Sequence, residues 1–316
     1  MTTLSHWDAA VVGAANMDIC GAPAGPLRAQ DSCPGRVRMT SGGVGRNIAH
    51  DLCLLGVSTR FIAAMGEDAF RDVLLDELHA VGTDTTLCRS FAGEQTGCYL
   101  FITDRNGEMQ LAINAMDVSR LVTPQFLEER MAEINRCRLC FADANLSVEA
   151  LEYLLEACTV PLFCDPISVA KAQRLSGRLD RLHTVKPNRA EAEALSGVTI
   201  RSETDLMRAA DILLEKGVHS VFISLGADGA YAADRTGTRL RLPCFPAAVR
   251  STTGAGDSFA AAIAYGHLRG FSLREQLLAG LAAGAVTTES ETAVNPLLSE
   301  AELLRRAGPL GTMPSD

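Results

Sequence analysis

The sequence contains no run of eighteen or more apolar residues, so it offers no helix of membrane-spanning length. Its opening, MTTLSHWDAAVVGAANMDIC, lacks the charged head and long apolar stretch of an export signal and reads as a short lead into a first strand. A cytoplasmic protein is the expectation. There is no basic excess: 29 Lys and Arg stand against 38 Asp and Glu, a formal net charge of -9. That excludes nucleic-acid binding through a generic basic surface but leaves a local anion site open. Two nucleotide-binding signatures are missing. G-x-x-x-x-G-K-[ST] occurs nowhere, and SGGVGRNIAH (41–50) does not fit G-x-G-x-x-G. One C-x-x-C, Cys137 with Cys140, has neither a second such pair nor a His pair to complete a metal site. In a reducing compartment most of the ten cysteines are expected to be small buried hydrophobes. Internal repeats and low-complexity segments are also absent.

What is present is a long alternation of strand-like and helix-like segments. The 316 residues are 47% apolar, enough for a large core, and one α/β domain with an insertion fits the length as well as two domains. Strands are expected at 8–16, 59–66, 138–144, 161–166, 182–188 and 220–226. Helices are expected at 46–56, 70–82, 148–158, 189–197, 203–217, 257–270 and 273–290. This order predicts a doubly wound α/β fold, a mostly parallel sheet with helices on both faces, whose ligands bind beyond the carboxyl ends of the strands. Two regions break the rhythm. Residues 17–40 read as loop-rich, and GCYLFITDRNGEMQLAIN (97–114) reads as a hairpin turning at Arg105-Asn106-Gly107. A small β lid over the site and a pair of edge strands without a role are equally open. The tail after Arg306 is expected to fray.

Four stretches carry chemistry. In STTGAGDSFAAAIA (251–264), Gly254, Ala255 and Gly256 form a glycine-rich turn that opens a helix, with Asp257 directly behind. Such a turn presents unsatisfied N–H groups and the positive end of the helix dipole, an anion site. Phosphoryl transfer needs donors and a positioned base, and both fall within four residues here. A tight turn with Asp257 favouring the helix terminus is the plain alternative. In SGGVGRN, Gly42, Gly43 and Gly45 allow another molecule to approach the backbone, and Asn47 can donate and accept hydrogen bonds. Asn16 and Asp18 follow the first strand; Asp18 can accept from a vicinal diol or make an Asx turn. Asn188 and Glu191 in KPNRAEAE can form a capping box or hold water bound to Mg²⁺.

Taken together, SGGVGRN, N-R-A-E at 188–191 and TTGAGDSF at 252–259 resemble, in order and separation, the signatures of the ribokinase-like (PfkB) kinases of sugars and nucleosides. The resemblance covers nearly the whole chain and implies a single kinase domain, 1–316, with a small β lid from about 17–40 and 97–114. It implies ATP and Mg²⁺ as cofactors, Asp257 as general base, and Gly254, Ala255 and Gly256 as the anion hole. It puts Asn16, Asp18, Gly42, Gly43 and Asn47 at the ribose-like part of the acceptor. Ser224, Gly226, Gly229 and Thr253 join Asn188 on the nucleotide side, and Glu191 belongs to the metal motif. GGVGRNIA, GEMQLAIN, FADANLS, CDPISVAK and HTVKPNRAEAEALSG resemble the members that act on pseudouridine, which implies transfer of the γ-phosphoryl of ATP to its 5′-hydroxyl. Ribose, adenosine, inosine, a hexose phosphate or a non-catalytic sensor are the alternatives. Asn114 and Lys171 are expected near the acceptor. Ser251 stands where many members carry an Asp of a monovalent-cation site, which argues against K⁺ activation without excluding it. By the same resemblance the partners are small molecules and a second copy of the chain, with no nucleic acid and no membrane.

Overall fold

A computed structural model describes residues 7–311 other than 29 and 176. The lead 1–6 and the end of the tail, 312–316, lie outside the described residues. The chain begins with β1 (Ala9–Val12), crosses to β2 (Asn16–Pro23) and β3 (Gly35–Gly42), and returns through α1 (Val44–Leu54) to β4 (Thr59–Ile62). Next come β5 (Ala64–Gly66), α2 (Ala69–Ala80), β6 (Arg89–Phe91), and the hairpin β7 (Gly97–Thr103) and β8 (Met109–Ala115). The second half runs α3 (Pro124–Ile134), β9 (Leu139–Asp143), α4 (Val148–Ala157), β10 (Leu162–Asp165), α5 (Val169–Ala172) and β11 (Thr184–Val185). It closes with α6 (Arg189–Ser196), α7 (Glu203–Glu215), β12 (Ser220–Ser224), β13 (Ala230–Asp234), β14 (Arg239–Leu242), α8 (Ala255–Leu268), α9 (Leu273–Thr288) and α10 (Glu300–Ala307).

Eight strands make the main sheet, in the order β14-β13-β12-β11-β10-β9-β1-β4. From β12 to β4 every pairing is parallel; β13 and β14 are antiparallel additions at one edge. The doubly wound, mostly parallel architecture expected from the alternation is therefore present. AAVV, LCFAD and LFCD are buried along their whole length, as strands covered on both faces must be. The chain leaves β1 in one direction toward β4 and later in the other toward β9, so the sheet reverses order between β1 and β9. A ligand crevice is expected at that reversal.

The segment 17–40 is not loop-rich. Most of it belongs to two eight-residue strands, β2 and β3, which pair antiparallel from Asn16 with Gly42 to Pro23 with Gly35. Glycine, proline and arginine hide these strands from a propensity reading, since their residues face a cleft and solvent and not a core. With β7 and β8 they make a four-stranded sheet, β3-β2-β7-β8. The hairpin turn is where Asn-Gly places it, with Gly107 at φ 84° and its N–H donating to the Asp104 carbonyl. The strand expected at 182–188 shrinks to two residues, and the run 59–66 splits into β4 and β5. The helix α10 extends to Ala307, one residue past the expected start of the frayed tail.

The cysteines follow the expectation only in part. Cys137, Cys140 and Cys164 are buried, six others are half-buried and Cys244 is exposed; all are free. Cys137 donates to the Glu133 carbonyl (3.5 Å), while the Cys140 thiol meets that of Cys158 and not its C-x-x-C neighbour. Among the described residues no helix is long and apolar enough to cross a membrane, and no group of three or more His, Cys, Asp or Glu is arranged to hold a metal ion.

Candidate active site

The helix starts divide into two classes. Eight helices carry a side-chain cap: Asp68, Thr123, Ser147, Ser168, Asn188, Ser202, Ser272 and Ser299 each accept from a first-turn N–H. The other two, α1 and α8, begin at Gly43 and Gly254 with no side-chain cap. These are the two helices that meet at the expected site. An uncapped start leaves N–H donors for something else.

In α1 the protein itself supplies the acceptors. Asp143, at the end of β9, accepts from the N–H of Gly45 (2.7 Å) and of Ala14 (2.9 Å), and the Ala14 carbonyl accepts from Arg46 (3.1 Å). A Cβ on Gly45 would lie 2.8 Å from the Gly13 Cα and 2.9 Å from an Asp143 carboxylate oxygen. The glycines of SGGVGRN thus first serve internal close packing, and the expectation that they admit another molecule is corrected at Gly45. Asp143 closes the reversal point between β1 and β9. Gly42 lies against Asp18, whose carboxylate also accepts from the Asn16 amide (2.6 Å). Burial raises the Asp18 pKa, against the Asn16 hydrogen bond.

In α8 the start stays open. Gly254 has φ 79°, and a Cβ there would sit 1.8 Å from the Ala293 carbonyl oxygen, so no other residue fits. The Ala255 N–H reaches the Thr252 carbonyl (3.4 Å) and the Asp257 N–H the Gly254 carbonyl (3.0 Å), while the Gly256 N–H has no acceptor among the described residues. Asp257 is half-buried and receives the Asn47 amide at 2.8 Å, which ties α8 to α1. Burial and the nearby Asp165 push the Asp257 carboxyl up to about 7, against the Asn47 hydrogen bond and the Lys186 charge. A carboxylate held near neutrality is suited to accept a proton from a hydroxyl.

Lys186 and Asp165 were not among the expected site residues. They form a buried ion pair at 3.0 Å from the ends of β10 and β11. The Lys186 ammonium lies 3.3 Å from where a Gly256 Cβ would be, directly at the α8 N-terminus. Burial disfavours its charge, but Asp165, Glu191 and Asp257 outweigh that and hold its pKa above the usual lysine value. Asp165 also anchors the N–H of Ile167 (2.7 Å), whose φ of 67° is costly for a β-branched residue. The available signal was a charge closing an otherwise apolar strand, in PLFCD and HTVK. Arg46, buried beside Asn47, donates to its side-chain oxygen (3.2 Å) and pairs with Glu77.

The remaining expected residues lie at five separate places. Asn188 and Glu191 form a reciprocal capping box: the Asn188 N–H and amide donate to Glu191 (2.9 and 2.7 Å), and the Glu191 N–H donates back (3.0 Å). Burial raises the Glu191 pKa. One buried carboxylate with unused lone pairs, five residues after Lys186 and close enough to raise that lysine's pKa, fits a Mg²⁺ held mostly through water and phosphate oxygens. Ser224 bridges to Asn188, and Gly226 and Gly229, both at positive φ, form the turn after β12. Thr253 is exposed beside Ser251, whose hydroxyl accepts its N–H (3.2 Å). Lys171 donates to the Asn145 side chain (2.5 Å), with its pKa lowered by burial. Asn114 lies on β8, the exposed edge strand of the small sheet.

The profile of the pfkB family of carbohydrate kinases matches residues 8–300. The chain belongs to that family. Pseudouridine kinase of Escherichia coli (strain K12) is 35% identical over 93% of this chain and 94% of its own length. The uncharacterized sugar kinase YeiI of the same organism is 34% identical, covering 92% of this chain and 80% of that one. A solved structure of Arabidopsis thaliana ribokinase, complexed with ribose and ATP, matches with a TM-score of 0.83 at 22% identity, over 95% of this chain and 98% of that one. The fold is ribokinase-like. For a pfkB kinase, a phosphotransferase with a sugar or nucleoside acceptor, an uncapped helix start beside a buried lysine and a near-neutral carboxylate is a coherent centre.

Proposed function

We propose that this chain uses ATP to phosphorylate the 5′-hydroxyl of pseudouridine, giving pseudouridine 5′-phosphate. The observation that carries the chemistry is Asp257, held by Asn47 at the open start of α8 beside Lys186. Asp257 takes the hydroxyl proton. The Gly256 N–H, the α8 dipole and the Lys186 ammonium face the charge that develops on the transferred phosphoryl group. Asn188 and Glu191 would hold Mg²⁺ through water; the ion supplies further charge neutralisation. Asn16, Asp18, Gly42 and Asn47 bind the ribose, and Ser224, Gly226, Gly229 and Thr253 the nucleotide. The acceptor rests on the 35% identity to pseudouridine kinase. The nearly equal identity to a sugar kinase keeps a sugar acceptor as the second reading.

The chain acts in the cytoplasm as a homodimer. The small sheet, the proposed lid, exposes two apolar rows on one face: Met39-Ile19-Leu100-Ile113 and Val37-Gly21-Ile102-Leu111. Val37, Leu111 and Ile113 are 74%, 69% and 65% exposed, a patch that a second copy of the same sheet would cover. The test is turnover with ATP and Mg²⁺ over pseudouridine, uridine, ribose, adenosine, inosine and fructose 6-phosphate. Pseudouridine far ahead of uridine is the expected result; preferential turnover of ribose or a hexose would replace the acceptor and keep the chemistry.

A further inference from the structure

The other face of the small sheet turns toward the main body, because Arg38 reaches Glu291 (3.0 Å) in the segment after α9. On this face the register aligns one residue from each strand: Thr40 opposite Asp18, Asp18 opposite Tyr99, Tyr99 opposite Asn114. Directly paired residues share a face, and neighbouring strands lie about 4.8 Å apart. Asn114 is therefore two strand spacings from Asp18, roughly 10 Å. From this register, and resting on the kinase reading above, we infer that the row Asp18–Tyr99–Asn114 measures the acceptor and selects a nucleoside over a free sugar.

Asp18 takes the ribose diol at one end. One pentose ring does not span to Asn114, whereas a pentose joined to a base extends along the row. Tyr99 lies under the position of the base. Its ring is braced by Phe101 (5.5 Å between centroids) and its hydroxyl by the Met109 sulfur (3.2 Å), so it is a fixed platform for stacking. Asn114 follows at the far edge. Its amide offers a donor and an acceptor side by side, complementary to a base edge with a carbonyl next to an N–H, as in a uracil ring. Asn114 is exposed and Tyr99 half-buried, so both are accessible from the cleft.

The experiment is steady-state kinetics of the full chain and of Tyr99→Ala, Tyr99→Phe and Asn114→Ala with pseudouridine, uridine and ribose as acceptors. Tyr99→Ala is expected to raise KM for the nucleosides by about tenfold or more, the loss of one base stack. Asn114→Ala should raise it about fivefold, the loss of a hydrogen bond. Tyr99→Phe keeps the ring and should recover most of the loss seen in Tyr99→Ala, while KM for ribose should change far less than KM for the nucleosides in all three variants. Equal losses for ribose and nucleosides, or unchanged nucleoside KM in both alanine variants, would overturn the inference while leaving the kinase reading intact. Turnover of ribose without any nucleoside turnover in the wild type would remove the inference and the pseudouridine acceptor but keep the kinase chemistry; no turnover of any acceptor would remove both readings.

Discussion

The main sheet and the small sheet are built on opposite terms. The inner strands of the main sheet, such as β1, β9 and β10, are buried end to end, and the charges at their crevice ends, Asp143, Asp165 and the Lys186 that follows β11, are paired or hydrogen-bonded. β8 of the small sheet is exposed along all seven residues, and β3 along its first five. The first sheet is stable by its own packing and holds the reacting groups rigidly. The second exposes much of both faces and has little core of its own, so it gains less from its own packing. On the reading proposed above, chemistry belongs to the body and selection to the small sheet.

The largest separation of these roles should come from Asp257→Asn. We expect kcat to fall roughly 10²- to 10⁴-fold, the usual weight of a general base, with nucleoside binding retained by calorimetry. The same change should stabilise the fold. A carboxyl raised to about 7 when folded contributes its full stability below its unfolded pKa, and this is lost as pH rises through 7. The Asn variant should thus melt higher than wild type at pH 8 and show less advantage at pH 5. Next in size, Lys186→Met leaves Asp165 buried without its partner and should cost about 3–5 kcal/mol in urea unfolding. If the lid instead carried the fold, this loss would be small. Smallest in stability is Ile113→Lys on the outer lid face. It should convert the proposed dimer to a monomer in light scattering, while the monomer's unfolding free energy moves within about 0.5 kcal/mol. A dimer that persists would place the interface elsewhere.

The sequence disclosed the body far better than the lid for the same reason. AAVV, LCFAD and TTGAGDSF are short continuous signals whose meaning is local: an apolar run or a glycine turn before a helix. GRVRMTSG is a strand only because NMDICGAP pairs with it and the cleft lies above it, which no window of the chain reveals. Asn47 with Asp257, and Gly45 with Asp143, join residues 210 and 98 positions apart. Asn47 and Asp257 were each visible as motif members, but their contact was not. Lys186 sits inside HTVKPN, but its partner, Asp165, lies on the neighbouring strand, and no local window of sequence joins them.

The proposed role of Asp257, a base tuned by its surroundings, is tested most directly by the pH dependence of kcat/KM. With pseudouridine as acceptor, the rate should fall about tenfold per unit below an apparent pKa near 7, and Asp257→Asn should abolish that limb along with most of the rate. A profile flat down to pH 5, or the same limb surviving in Asp257→Asn, would contradict it.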